Sequence, residues 1–232
     1  MTPSVSPFLA RLVVFDLDGT LIDSIGDIAA SANQVLVETY GEEARLPPDV
    51  VRGFVGRGAR QLIERCVDAA GHHPDDLGLI FDRFLAVYGS RLTETTRLYP
   101  GMREALGRIE ASSRLAVLTN KPGDMSRVIV QDLGLSGRFI AVIGGDDLPS
   151  RKPDPEGLLK IAAQAGVRPE HTALVGDSAV DIVTARNAGA LAVGALWGYD
   201  REGVLRERPD TIVEKPSDLA ALFVSFPDET AR

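Results

Sequence analysis

The stretch that decides the fold is Leu12-Val-Val-Phe15, which runs directly into Asp16-Leu-Asp-Gly-Thr20. A short apolar run that stops at a polar, glycine-containing turn is typical of a buried strand in a parallel sheet. Comparable aliphatic runs recur along the chain, so we expect several such strands. The further runs are residues 115–118, 140–143, 173–175, 191–193 and 211–213.

Helical patterns separate these apolar runs. They cover residues 101–111, 125–133, 155–165 and 179–188. The last three are followed within a residue by a glycine, which can take the left-handed backbone conformation that ends many helices. Strands that alternate with helices predict an α/β fold, with a Rossmann-like parallel sheet covered by helices on both faces.

Residues 24–95 interrupt this alternation, because they carry apolar stripes at helical spacing and no convincing strand. The stripes lie within residues 25–36, 62–70 and 77–88. We therefore predict an all-α helical bundle inserted as a cap after the first strand. The predicted α/β core comprises residues 1–22 and 96–232, and the predicted cap comprises residues 23–95.

Composition and charge exclude several classes of partner and site. The chain of 232 residues has a formal net charge of −8 and no Lys/Arg-rich run, which disfavours nucleic acid and anionic membranes as partners. One cysteine and three histidines are too few for a typical zinc site. Without a signal peptide or a span of about 18 apolar residues, we expect a cytoplasmic protein, either a monomer or a homodimer.

Polar side chains follow the predicted strands at the point where each strand ends. Because the carboxyl ends of parallel strands meet at one edge of a sheet, these groups should converge on one cleft. Carboxylates about 4 Å apart repel by about 4 kcal/mol at an effective dielectric constant near 20, so the cluster needs a cation. Oxygen ligands without His or Cys favour Mg²⁺ or Ca²⁺, and Mg²⁺ commonly shares phosphate oxygens. The groups are Asp16, Asp18, Thr119, Asn120, Lys121, Asp146, Asp147, Lys152, Asp177 and Asp181.

The order and spacing of these groups resemble the haloacid dehalogenase superfamily, whose four motifs all occur in sequence order. The similarity extends over nearly the whole chain, and the inserted helices match the cap of its subclass I members. The motifs are Asp16-Leu-Asp18-Gly-Thr20, Thr119 in Leu118-Thr-Asn-Lys121, Lys152 in Arg151-Lys-Pro153, and Gly176-Asp177-Ser-Ala-Val-Asp181.

The resemblance implies a role for each of these residues. Asp16 would be the nucleophile that forms an aspartyl-phosphate, and Asp18 the general acid and base. Thr119 and the backbone amide of Asn120 would bind phosphate oxygens, and Lys152 would neutralise charge. The Mg²⁺ ligands would be Asp16, the backbone carbonyl of Asp18, and Asp177. Asp181 would orient water or Lys152, and Thr20 and Ser178 would lie with it in the layer of residues behind the metal ligands.

Several local runs also resemble the phosphoglycolate phosphatase family. They are 119–122, 152–155, 197–199 and the cap segment 54–58. The resemblance implies hydrolysis of 2-phosphoglycolate, a small phosphorylated metabolite whose carboxylate needs a cationic or amide contact from the cap. The candidates are Arg57, Arg60 and the loop amides near Gly56 and Gly58, with Arg57 preferred.

Alternatives to this function stay open at this point. Asp18 argues against dehalogenation, because the dehalogenases of the superfamily lack the second aspartate of the first motif. The substrate could instead be a nucleotide, a sugar phosphate or pyrophosphate. A β-phosphoglucomutase-like mutase would use the same nucleophile, and a binding module could use the scaffold without catalysis.

Overall fold

A parallel sheet with helices on its faces confirms the predicted α/β, Rossmann-like fold. The computed structural model describes residues 10–73 and 77–223. Within these ranges six parallel strands form the main sheet in the order β5-β4-β1-β6-β7-β8. Their bounds are β1 (Leu12–Phe15), β4 (Arg114–Leu118), β5 (Phe139–Ile143), β6 (Thr172–Gly176), β7 (Leu191–Ala195) and β8 (Thr211–Val213).

Strand β1 lies near the middle of the sheet and is buried on both faces. Val14 is paired with Ala116 on one side and Leu174 on the other. Val13 and Phe15 belong to one apolar cluster, whereas Leu12 and Val14 belong to the cluster on the opposite face. The uninterrupted apolar run therefore follows from two buried faces, as expected for a parallel strand.

Helices of the core follow the strands and confirm the predicted helical segments to within a few residues. Helix α8 (Ala179–Ala188) is the closest match, since it spans the predicted residues and is followed by Gly189, whose φ is 70°. None of the helices within residues 10–73 and 77–223 has the length and apolarity that a bilayer crossing requires. The core helices are α5 (Met102–Ile109), α6 (Gly123–Asp132), α7 (Glu156–Ala165), α8 (Ala179–Ala188), α9 (Arg201–Glu207) and α10 (Leu219–Leu222).

The segment between β1 and β4 is helical, as its apolar stripes predicted. A two-stranded antiparallel ribbon stands at its ends, where β2 (Ile22–Asp23) is paired with β3 (Arg97–Leu98). The exact division into core and cap stays a prediction. The helices of this cap segment are α1 (Ile25–Tyr40), α2 (Pro48–Arg52), α3 (Ala59–Ala69) and α4 (Leu77–Gly89).

The two ends of the cap segment are tied together by Asp27, whose residue surface is 1% exposed. Its carboxylate accepts hydrogen bonds from the hydroxyls of Thr95 and Thr96 at 2.6 and 2.7 Å, and from their backbone N–H groups at 2.9 Å. Burial alone would raise the pKa of Asp27, but these hydrogen bonds outweigh burial and lower the pKa below its usual value. Asp27 thus anchors the start of α1 to the chain that leads back to the core.

Candidate active site

Three neighbouring strands bring the predicted site residues to one edge of the sheet. Asp16 follows β1, Thr119 follows β4 and Asp177 follows β6. Because β1 lies between β4 and β6, the three side chains meet at the carboxyl end of the sheet. All three are buried, so their charges and hydrogen bonds act in a partly water-excluded site.

Lys152 lies between two buried carboxylates. Its Nζ is 2.8 Å from Asp16 Oδ1 and 2.5 Å from Asp181 Oδ1. Burial raises the pKa of Asp16 to about 6, although the neighbouring Lys152 opposes the shift. Burial also disfavours the charged form of Lys152, but Asp16 and Asp181 outweigh it and raise the pKa of the lysine. Lys152 therefore stays cationic beside Asp16.

Asp177 is held in place by hydrogen bonds to both of its oxygens. The hydroxyl of Thr20 donates to Oδ1 at 2.8 Å, and the backbone N–H of Tyr199 donates to Oδ2 at 2.7 Å. Burial, with the nearby Asp16 and Asp181, raises the pKa of Asp177 well above its usual value. Gly19 has a φ of 84°, and a Cβ there would lie 2.2 Å from Asp177 Oδ2, so only glycine fits beside this carboxylate.

The donor set fits a hard divalent cation. Carboxylate oxygens of Asp16, Asp177 and Asp181 all lie within 4.8 Å of one another. The Asp181 carboxylate already accepts from Lys152 and, at 2.6 Å, from the Ser178 hydroxyl. Asp16 and Asp177 are then the carboxylates best placed to accept an ion, and oxygen donors without nitrogen or sulfur suit Mg²⁺. The ligand roles of Asp16, Asp18 and Asp177 stay a prediction.

The side chain of Asp18 faces a different set of partners from that of Asp16. Lys121 Nζ lies 3.0 Å and 3.1 Å from its two carboxylate oxygens, and the Ser24 hydroxyl donates to it at 2.6 Å. Lys121 also donates to the hydroxyl of Tyr88 on α4 of the cap segment. Asp18 therefore lies where the core and the cap segment meet.

Sequence reasoning placed Lys121 among the groups at the strand ends without giving it a role, and it missed Tyr88. Asp146 and Asp147 belong to the same predicted set, but they accept hydrogen bonds from the Gly123 N–H and from Arg127. Lys121 lies in the Thr119-Asn-Lys121 run, so its place after β4 was a usable signal, although no role was assigned to it. Tyr88 offered no signal, because it falls on the apolar stripe that packs the cap segment.

The loop after β4 also connects the core to the cap segment. The Asn120 side-chain amide donates to the Gly56 carbonyl at 3.0 Å and to the Lys152 carbonyl at 2.9 Å. Thr119 Oγ1 accepts from the Lys121 N–H at 3.2 Å. These contacts fix the loop, and the predicted phosphate contacts of Thr119 and of the Asn120 backbone amide stay predictions.

A cavity lies directly over the two aspartates of the first motif and has about 470 Å³ of empty space, including its opening. The core contributes polar groups to its wall, including those of Asp16, Asp18 and Lys121. The cap segment contributes mainly apolar side chains. These are Ile28, Val55, Ala59, Leu62 and Phe84, with Tyr88 beside them.

An adjoining cavity reaches the same two aspartates and is lined by several arginines. Arg57 is exposed and lines this second cavity together with Arg52 and Arg65. Arg60 instead packs over the Phe81 ring, 5.6 Å from its centroid. Arg57 is therefore near the site, and its predicted contact with the substrate stays a prediction.

Comparisons with known proteins agree with this geometry. A model of the family described as haloacid dehalogenase-like hydrolase matches residues 13–195. The phosphoglycolate phosphatase of Pseudomonas putida is 36% identical over 225 residues, which cover 95% of this chain and 81% of that protein. That of Cereibacter sphaeroides is 43% identical over 190 residues, which cover 81% of this chain and 85% of that protein. A solved structure of a predicted phosphoglycolate phosphatase from Haemophilus somnus has a TM-score of 0.86 at 32% identity, covering 93% of this chain and 99% of that one.

Proposed function

This chain belongs to the haloacid dehalogenase-like hydrolase family, and we propose that it is a Mg²⁺-dependent phosphatase that prefers 2-phosphoglycolate. The observation that carries the proposal is the pairing of buried Asp16 with Lys152 at 2.8 Å, beside Asp177 and at the floor of a cavity that Asp18 also lines. A buried carboxylate held by a lysine, with a second carboxylate at hand, suits nucleophilic attack on phosphorus followed by hydrolysis.

In the first step the Asp16 carboxylate attacks phosphorus, and the bond between phosphorus and the ester oxygen breaks. Asp18 gives a proton to the departing oxygen, so the alcohol leaves as a neutral hydroxyl group. Lys152 offsets negative charge on Asp16 and on the phosphoryl group being transferred. The products of this step are the free alcohol and an aspartyl-phosphate on Asp16.

In the second step Asp18, now ionised, takes a proton from a water molecule. The resulting hydroxide attacks phosphorus, inorganic phosphate leaves, and the Asp16 carboxylate is restored. When bound to Asp16 and Asp177, with the Asp18 carbonyl, Mg²⁺ would neutralise charge and orient the phosphate group. Asp181 holds Lys152 in place through their 2.5 Å ion pair and is itself held by Ser178.

The choice of substrate is supported by the apolar cap wall over the two aspartates and by the named relatives. Apolar cap side chains close over the aspartates, which favours a small leaving group. The relatives in Pseudomonas putida and Cereibacter sphaeroides are both phosphoglycolate phosphatases. We expect a cytoplasmic enzyme that is a monomer or a homodimer and has no nucleic-acid or membrane partner.

The decisive experiment measures phosphate release, with Mg²⁺, from 2-phosphoglycolate, a nucleoside monophosphate, a sugar phosphate and pyrophosphate. We expect 2-phosphoglycolate to lead by at least about tenfold in kcat/KM, or about 1.4 kcal/mol of transition-state preference. If another ester leads, the reaction stands and the substrate is wrong. If phosphate is transferred between sugar hydroxyls and not released, the protein is a mutase. If folded, Mg²⁺-loaded protein releases no phosphate from any of these substrates and transfers none, the proposed enzymatic activity is refuted.

A further inference from the structure

The cavity over Asp16 and Asp18 has one basic side chain among its described lining residues, that of Lys121. Lys152 is already shared between Asp16 and Asp181. The facing wall is apolar and cannot compensate a negative charge. A substrate that carries an anionic group besides its phosphate therefore has Lys121 as its nearest candidate side-chain cation in this cavity.

Lys121 is withdrawn from bulk water. Its side chain is 4% exposed, and its Nζ lies 3.0 Å from Asp18 Oδ1. A buried ammonium group needs anionic or hydrogen-bonding partners nearby, because it has lost those that water would supply. Here the partners are the Asp18 carboxylate and one hydroxyl, that of Tyr88.

Tyr88 fixes Lys121 from the side of the cap segment. Its hydroxyl accepts a hydrogen bond from Lys121, and Lys121 Nζ also lies 4.5 Å from the centroid of its ring. The ring is buried and stacks on Phe84, with 5.8 Å between the ring centroids. Lys121 is thus held in one place before a substrate arrives, which reduces the ordering cost of binding.

We propose that Lys121 recognises a carboxylate on the leaving group of the substrate, and that Tyr88 positions it for this contact. This rests on the proposed function, because it takes Asp18 as the group that faces the ester oxygen. In a phosphate ester of a 2-hydroxy carboxylate, one carbon separates that oxygen from the carboxylate carbon. A cation in contact with Asp18 therefore lies within reach of this carboxylate.

Selectivity follows from the same contact. A carboxylate on the leaving group gives buried Lys121 an anionic partner at the stage when Asp18 carries the proton that it gives to the ester oxygen. An ester with a neutral leaving group of the same size offers no such partner, and sites built around a buried polar group discriminate strongly against analogues that fail to pair with it. The substrate class is then small phosphate esters with a carboxylate on the carbon next to the ester oxygen.

The experiment compares 2-phosphoglycolate with 2-hydroxyethyl phosphate, in which a neutral hydroxymethyl group replaces the carboxylate. It uses the wild type, Lys121→Met, Lys121→Arg, the matched control Lys160→Met, whose lysine is exposed on α7, and Arg57→Met as the competing candidate. We expect Lys121→Met to lower the preference for 2-phosphoglycolate, as a ratio of kcat/KM values, by about 10- to 100-fold, mainly through KM. Lys121→Arg should restore part of the preference, and Lys160→Met should change it by less than about threefold, because Lys160 is exposed and lies outside both cavities.

Three outcomes would overturn the proposal. In the first, Lys121→Met lowers kcat/KM for both esters equally. Lys121 would then position Asp18 or stabilise the fold, and it would not bind the substrate carboxylate. In the second, the preference falls in Arg57→Met and not in Lys121→Met. In the third, the wild type hydrolyses both esters equally well, which leaves the phosphatase intact. A wild type that hydrolyses neither ester refutes the proposed function itself.

A second variant keeps the proposal testable if Lys121→Met does not fold. Tyr88→Phe retains the ring and removes only the hydroxyl that holds Lys121. We expect its KM for 2-phosphoglycolate to rise by about three- to tenfold, with a smaller change in kcat and a smaller change for 2-hydroxyethyl phosphate. Equal losses on both esters would show that Tyr88 has only a structural role, and would count against the positioning of Lys121.

Discussion

The two walls of the cleft are built on different physical principles. The core wall is charged and buried, and each of its groups is fixed by a strand end and by named partners, as Lys152 is by Asp16 and Asp181. The wall from the cap segment is mainly apolar, with the Tyr88 hydroxyl as its polar contact to Lys121. This division suggests that the core groups around Asp16 carry out the reaction, and that the cap wall selects the leaving group together with Lys121, which Tyr88 holds.

The difference between the walls also predicts how each responds to substitution. Removing the charge of Asp16 or Lys152 from the core wall should abolish turnover, because a reacting atom or its counter-charge is lost. Changes in the cap segment should alter stability or substrate preference while leaving the reaction possible. The predictions below test this division, beginning with the largest expected effect.

Asp16→Asn should lower kcat by at least about 10⁴-fold, because the amide is a far weaker nucleophile than the carboxylate. The measurement is phosphate release with saturating Mg²⁺, together with thermal unfolding to establish that the variant is folded. Asp82→Asn is the matched control, because Asp82 is exposed on α4 of the cap segment, and we expect near wild-type turnover from it. A folded Asp16→Asn protein with near wild-type turnover would refute the assignment of Asp16 as the nucleophile.

A metal chelator should stop phosphate release, and added Mg²⁺ should restore it. The buried carboxylates of Asp16, Asp177 and Asp181 lie within 4.8 Å of one another, so an ion that binds them should also raise the melting temperature. Na⁺ at the same ionic strength is the control, and it should restore neither activity nor stability. Full activity in excess chelator would show that the reaction at the core wall does not require a metal ion.

Most of the core wall was predictable from the sequence because strand ends are marked by the sequence itself. An apolar run such as Leu12–Phe15 shows where a strand stops, and the polar residue that follows must lie at the edge of the sheet. Asp16, Thr119 and Asp177 were located in this way, and Lys152 through the resemblance of its motif. The resemblance implied that Asp181 orients water or Lys152, and the structure decides for Lys152, whose Nζ lies 2.5 Å from Asp181 Oδ1.

The cap wall was not predictable in the same way. Tyr88 and Phe84 share one apolar stripe on α4. Helical periodicity predicts that both side chains are buried and does not distinguish between them. The difference between them lies in the Tyr88 hydroxyl, whose contact with Lys121 depends on how α4 packs against the core. Helical spacing therefore predicted the helices of the cap segment without showing which of their residues reach the cleft.

Asp27→Asn should destabilise the protein by about 3 kcal/mol, because it turns a buried acceptor into a group that cannot accept all the hydrogen bonds from Thr95 and Thr96. The measurement is denaturant unfolding at neutral pH, with kcat under stabilising conditions as a second readout. Asp49→Asn is a matched control in the first turn of α2, since the Asp49 side chain is 83% exposed and should cost less than about 0.5 kcal/mol. If Asp27→Asn abolished turnover without loss of stability, the division of roles between the walls would be wrong.

The smallest expected effect concerns how pH changes the stability of the metal-free protein. Burial raises the pKa of Asp16 to about 6, whereas an unfolded aspartate titrates near 3.9. Between these values the folded state binds more protons than the unfolded state, so the Asp16 contribution to stability falls as pH rises. Asn does not titrate, and Asp16→Asn should therefore gain stability relative to the wild type by about 1 kcal/mol more at pH 7.5 than at pH 5.

Denaturant unfolding of both proteins in chelator, at the two pH values, measures this difference. The comparison should be repeated in high salt, where interactions between exposed charges are screened but the cost of burying Asp16 persists. A difference that disappears in high salt would assign the effect to surface charges and not to burial. An equal stability difference between the two proteins at both pH values would contradict the raised pKa of Asp16. It would also contradict the view that burying the nucleophile in the core wall lowers the stability of the protein, a cost that the apolar cap wall does not have.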